Sequence, residues 1–192
     1  MGKVIVIDLE ANQPSDTIIA LGYVIGDVRT GRIFVERDLI VNPNETLGYI
    51  ENGVSITELT GITQEQVDNG MTLHEAYSIM KSDIEKYNPT RTCVQWGMGD
   101  SRLLLKQLGI DSSEYIFRNR IFDVKSLYQM YCLFTGKKVA AGLKKACELV
   151  GAEFDGAAHN ALNDAKATFN IFKVLGDKYS KLRNVEKALC LK

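Results

Sequence analysis

The sequence predicts an α/β fold: a mixed central sheet, with three antiparallel N-terminal strands joined by parallel ones, flanked by helices. Three observations predict it. The chain opens with three strand-like runs in succession. From residue 55 onward, helical patterns alternate with short strand-like runs, the order expected of a mixed-sheet α/β domain. The first run is continuously apolar and β-branched, as in a strand buried on both faces. With 192 residues the chain can bury one sizeable core, and residues 1–192 are read as a single domain.

Each element has a local reason. Residues 3–7 carry Val4, Ile5, Val6 and Ile7, an apolar run of β-formers. TIIALGYVIGD (17–27) and GRIFVERDLIV (31–41) form two further strands. Asp27 to Gly31 supplies turn chemistry between them, so they are read as a hairpin. Residues 42–54 are a loop containing Gly, Asn and Pro. Three capping boxes follow, Ser55 with Glu58, Thr63 with Gln66 and Thr72 with Glu75. The third opens a helix over about 72–87. RTCVQW (91–96) reads as a strand, followed by a glycine-flanked turn and a helix from about Ser101 to Leu108. An extended piece near 114–123 leads to a helix at about 124–134. Another helix covers about 141–150 and a long one about 160–176, and a further helix closes the chain.

Composition narrows the class. Hydrophobic and charged contents of 45% and 24% are those of a soluble globular protein. Cys93, Cys132, Cys147 and Cys190 form no CxxC pair. That argues against a zinc ribbon or disulfide scaffold and points to a reducing, cytoplasmic setting. The N-terminus enters a strand at once, without a signal-peptide pattern, and no apolar run reaches membrane-spanning length, so no membrane partner is expected. A net charge of −1 excludes a generally basic nucleic-acid binder; any grip on phosphates must be local. Two bound divalent cations would move that charge to about +3, all at one place.

Asp8 and Glu10 follow the first strand. On an extended chain, positions i and i+2 share a face. Two carboxylates so close repel, and burial adds to the cost unless a cation compensates. The same D-x-E spacing at Asp83 and Glu85 is a decoy, because on a helix these positions point about 200° apart. Asp100 sits where a strand gives way to a helix, and an N-cap role is the local reading. Trp96 and Met98 read as core or pocket wall, or as an aromatic surface near bound bases.

Asp164 is more informative. The helix over 160–176 has a polar stripe of Asn163, Lys166, Asn170, Lys173 and Asp177, and Asp164 lies roughly 140° from its centre. A carboxylate on the apolar side needs an internal partner or a metal. His159, five residues earlier, would point about 140° away from Asp164 on one continuous helix. It is therefore placed in the preceding loop, near enough to serve as a general base. His74 sits in the first turn of a capped helix and reads as structural.

Asp8 and Glu10 after a strand, Asp100 after WGMG, and HNALNDA with His159 and Asp164 resemble the three motifs of the DEDDh family. These are proofreading-subunit-like 3′-to-5′ exonucleases on a ribonuclease H-like fold. The similarity covers roughly residues 3–176. ELTGIT with Gln64 and Glu65, and GLKKACELVGAEFDGAAHNALNDA, are similar to the Eri-type RNA-trimming branch. The related tyrosine subtype would place Tyr at position 160, where this chain has Asn160. Ala11 and Asn12 follow Glu10 where members often carry Thr or Ser.

The resemblance implies hydrolysis of terminal phosphodiesters of single-stranded nucleic acid to nucleoside monophosphates, with RNA favoured over DNA. It implies two divalent cations, Mg²⁺ or Mn²⁺, held by Asp8, Glu10, Asp100 and Asp164. Asp8 would bridge the two, and His159 would act as general base. Leu9, Ala11, Asn12, Trp96 and Met98 are the candidate substrate contacts. Asp123 reads as a helix cap at a position where members often carry an acid. Lys137, Lys138, Lys144 and Lys145 are read as solvated, with phosphate contact as the alternative. Three other readings stay open: an oligoribonuclease-like enzyme for short RNAs, a non-catalytic nucleic-acid-binding or polymerase-accessory module, and a ribonuclease H-like endonuclease, against which the histidine motif argues. The partner is a single-stranded 3′ end, and a homodimer is left open.

Overall fold

A computed structural model describes residues 2–118, 120–139 and 142–190, with side chains through residue 180. The strands are β1 (Lys3–Ala11), β2 (Ile18–Asp27), β3 (Arg32–Ile40), β4 (Cys93–Gln95) and β5 (Ile121–Asp123). The helices are α1 (Ile56–Thr60), α2 (Gln64–Asp68), α3 (Leu73–Tyr87), α4 (Asp100–Leu108), α5 (Val124–Thr135), α6 (Leu143–Val150) and α7 (Ala161–Cys190).

The five strands form one sheet in the order β3-β2-β1-β4-β5. β1 pairs antiparallel with β2 and β2 with β3, while β1/β4 and β4/β5 are parallel. β1 therefore lies at the centre, and its apolar run serves two cores. Ile5 and Ile7 join the core under α3 and α4. Val4 and Val6 join the opposite core under α5, α6 and α7. All three capping boxes form as the spacing predicts.

Four boundaries differ from expectation. β1 continues through Ala11, so Asp8 and Glu10 lie within the strand; they pair with Gly22 and Ala20 of β2, which prolong the ladder. β4 is only three residues long, the length over which β5 pairs with it. The expected extended piece at 114–123 is a turn as far as Arg118. Its apolar residues are buried there instead: the Ile116 N–H donates to the Tyr77 hydroxyl at 2.9 Å, and the Tyr115 hydroxyl donates to the Ser101 carbonyl at 3.0 Å. The expected pair of C-terminal helices is one helix, α7. Gly176 costs a helix only about 1 kcal/mol relative to Ala, with no proline to end it.

The D-x-E decoy behaves as geometry requires. Asp83 is buried, accepting from the Tyr23 hydroxyl at 2.8 Å and from Arg37 Nε at 3.0 Å, and so pins α3 beneath the sheet. Glu85 is exposed. His74 stands with Nε2 3.1 Å from the Leu108 carbonyl, which fits its structural reading. Cys93, Cys132 and Cys147 are buried free thiols, and no described helix is long and apolar enough to cross a membrane.

Candidate metal centre

Asp8, Glu10 and Asp164 converge. Each offers a carboxylate oxygen, and the three oxygens lie within 4.8 Å of one another. Strand alternation puts Asp8 and Glu10 on the face covered by α7, and Asp164, in the first turn of α7, meets them there.

Two features bring the helix that close. Gly22 pairs with Asp8 in the ladder, and a Cβ at Gly22 would overlap the Ala161 carbonyl and the Leu162 nitrogen. Glycine inside a strand is here the mark of close backbone approach. The second feature is the loop before the helix. Asn160 Oδ1 accepts from the Asn163 N–H at 3.0 Å, and its amide donates to Asp38 on β3 at 3.1 Å. Asn163 in turn donates to the Ala157 carbonyl at 3.1 Å. Its side chain fills the space a Cβ at Gly156 would need, and Gly156 has φ of +86°.

His159 lies in that loop, exposed, with φ of +60°. Its backbone N–H donates to Asp164 Oδ2 at 3.2 Å. Asp164 Oδ1 is buried and has no hydrogen-bond partner.

Asp100 is near enough to act on Asp8 and Glu10 through its charge, but it is not among the three carboxylates gathered within 4.8 Å. Gly99, not Asp100, occupies the N-cap of α4, and Asp100 is already helical, so the capping role expected locally is not the one observed. The turn that carries Asp100 is held by two residues. Gln95, fully buried, donates to the Gly97 carbonyl at 2.8 Å and accepts from the Ser101 N–H at 3.0 Å. Asp123 caps α5 through the Lys125 N–H at 2.9 Å, as expected, and also accepts from the Gly97 N–H at 2.8 Å.

The electrostatics are those of carboxylates crowded without a counter-charge. Burial raises Asp8 well above the ordinary carboxylate range, and Asp100, Asp164 and Glu10 raise it further. Burial, then Asp164, Asp100 and Asp38, pushes Glu10 up to about 8. Burial lifts Asp100 to about 7. Burial also raises Asp164, opposed by the His159 N–H. A cluster of hard oxygen donors with one buried oxygen left unpartnered fits a hard divalent cation such as Mg²⁺ or Mn²⁺.

The candidate substrate contacts separate. Asn12 is 2% exposed. Its amide donates to Glu45 and to the Thr46 carbonyl, and its Oδ1 accepts from the Gly48 N–H at 2.8 Å. Asn12 thus pins the 42–54 loop through its side-chain amide. Leu9 packs into the α3–α4 core, away from the carboxylates. Trp96 leans on Tyr128 at 5.6 Å between ring centroids. Met98 is exposed and Ala11 half-buried. Lys144, Lys145 and Leu143 line a hollow with His159 and Asp164, whereas Lys137 is bonded to the Leu149 carbonyl. Gln95, Gly22 and Asp38 are the residues that reading the sequence missed. A polar residue inside CVQW and a glycine inside IALGYVI were the available signals.

Residues 5–172 match the family model described as exonuclease. The chain is 30% identical over 115 residues to the probable 3′-5′ exonuclease KapD of Bacillus subtilis, covering 59% of this chain and 53% of that protein. It is 28% identical over 193 residues to ERI1 exoribonuclease 2 of Mus musculus, covering 85% of this chain and 27% of that one. It thus spans about half or less of the length of these relatives. Among solved structures, the nuclease domain of 3′hExo, a DEDDh family member bound to rAMP, superposes with a TM-score of 0.71 at 18% identity, covering 92% of both chains. The fold is that of the ribonuclease H-like DEDDh exonucleases.

Proposed function

The chain belongs to the exonuclease family, and from that premise we propose that it is a metal-dependent 3′-to-5′ exonuclease. It would release nucleoside monophosphates from the 3′ end of single-stranded nucleic acid, with RNA favoured over DNA. The observation that carries this reading is the gathering of Asp8, Glu10 and Asp164 oxygens within 4.8 Å, one of them buried without a partner. The name of the mouse relative supports the choice of RNA.

Asp8, Glu10 and Asp164 would hold two divalent cations, with Asp100 completing the carboxylate set. When bound, such cations neutralise phosphate charge, polarise the phosphorus and acidify a water. The protein's own residues do the rest. His159 stands on the solvent side of Asp164, tied to it through its backbone N–H, and takes the proton from the attacking water through its imidazole. Asn160 and Asn163 hold the loop that presents His159. Gln95 and Asp123 hold the turn that presents Asp100. The half-buried Trp96 and exposed Met98 offer an apolar wall near that turn.

The test uses 5′-labelled RNA and DNA oligonucleotides with Mg²⁺, Mn²⁺ or EDTA. The expected result is a ladder of one-nucleotide steps with either metal and none with EDTA, stronger on RNA. In His159→Ala the ladder weakens by a factor of about 10² to 10⁴. Internal cuts, or binding without cleavage, would overturn the reading.

A further inference from the structure

The end of the sheet remote from the carboxylates carries charge of the opposite sign. Arg91 precedes β4, and Arg118 and Arg120 precede β5. With Phe117 they line a hollow of about 130 Å³ that has no carboxylate in its wall. All three arginines are exposed, and none has an ion pair among the described residues. The parallel ladder brings them together: Cys93 pairs with Ile121, and the Cys93 N–H donates to the Arg120 carbonyl at 2.8 Å. Residues just before two adjacent parallel strands therefore lie side by side, about 4.8 Å apart in backbone.

The backbone adds a second sign. Five described non-glycine residues have positive φ, and four are Asp16, Asn44, Asn88 and His159, types enriched there. The fifth is Arg118, with φ of +46°. A disfavoured conformation at a long cationic residue is the kind of feature that clusters at ligand sites.

We infer that Arg91, Arg118 and Arg120 form an accessory site for a phosphodiester group of nucleic acid, separate from the carboxylate cluster. Guanidinium forks suit phosphate oxygens, and three of them around one hollow repel one another until an anion enters. The net charge of −1 leaves the chain no general attraction for nucleic acid, so a grip of this kind has to be local. By ladder register, Arg120 stands level with Val4 and two strands over, roughly 16 Å from Asp8 in backbone. A dinucleotide at the carboxylates cannot touch both places, whereas a longer strand can. This inference rests on the nucleic-acid reading above.

The experiment compares the full chain with a triple variant, Arg91→Ala, Arg118→Ala and Arg120→Ala. Affinity for an RNA of about 15 nucleotides is measured by fluorescence anisotropy in EDTA across salt concentrations, and dinucleotide hydrolysis is measured with Mn²⁺. The expected result is at least a tenfold rise in Kd at low salt. The slope of log K against log salt should become shallower by about 2, with dinucleotide turnover unchanged. A triple Arg→Lys variant retains the slope, which separates charge from folding. Unchanged affinity and slope in the alanine variant overturn the site, and so does a parallel fall in dinucleotide turnover. Inorganic phosphate separates the sources: if it stabilises the wild type but not the variant while strand affinity stays equal, the nucleic-acid assignment fails. Because strand binding is read in EDTA, a protein that binds but never cleaves overturns the exonuclease reading and leaves this site standing.

Discussion

At the scale of single residues, the carboxylates define both a function and a liability. Without a cation, Glu10 is held up to about 8, Asp100 to about 7, and Asp8 well above its ordinary range. In the unfolded chain the same groups ionise near pH 4. Between these limits the folded state binds more protons than the unfolded one, so stability falls as pH rises. The metal-free protein should therefore have a lower thermal midpoint at about pH 8 than at about pH 5.5. Saturating Mg²⁺ or Mn²⁺ should remove most of that difference, as read by circular dichroism. A midpoint that rises with pH in EDTA would contradict the burial described for these groups. Residues of this kind were legible in the sequence because their signal is local: Asp8 and Glu10 share a strand face, and Asp164 breaks the apolar side of its helix. The tie from Asn12 to a loop 33 to 36 residues away is one that no local pattern records.

At the scale of elements, the site depends on how α7 meets the sheet. Gly22 is the contact point, since any side chain there would overlap the first turn of the helix. Gly22→Ala should force α7 away from β2 and carry Asp164 with it. The expected cost is about 1–3 kcal/mol in urea denaturation, together with weaker Mn²⁺ binding. Wild-type stability and affinity in that variant would show that the helix is not positioned this way. The same reasoning explains what the sequence left hidden. The capping boxes and the apolar run of the central strand are short-range patterns and formed as read. The turn at 111–118 buries Tyr115, Ile116 and Phe117 through partners on α3 and α4, so an apolar run looked like a strand. Gln95 and Asp123 hold the Asp100 turn across β4 and β5, a relation visible only once those strands are adjacent.

At the scale of the molecule, charge is divided between the two ends of the sheet. Carboxylates gather at the ends of β1 and β4, and arginines before β4 and β5. A protein of near-zero net charge can in this way offer a cation site at one end and a phosphate site at the other. The central claim is that Asp8, Glu10 and Asp164 form a divalent-cation site. Isothermal titration of Mn²⁺ into the metal-free chain at about pH 7 tests it most directly, with Asp8→Ala alongside. The account predicts binding with proton release in the wild type, because the raised carboxylates must ionise to take up the metal, and loss of that binding in the variant. Equal binding in the two proteins, or none in the wild type, would contradict it.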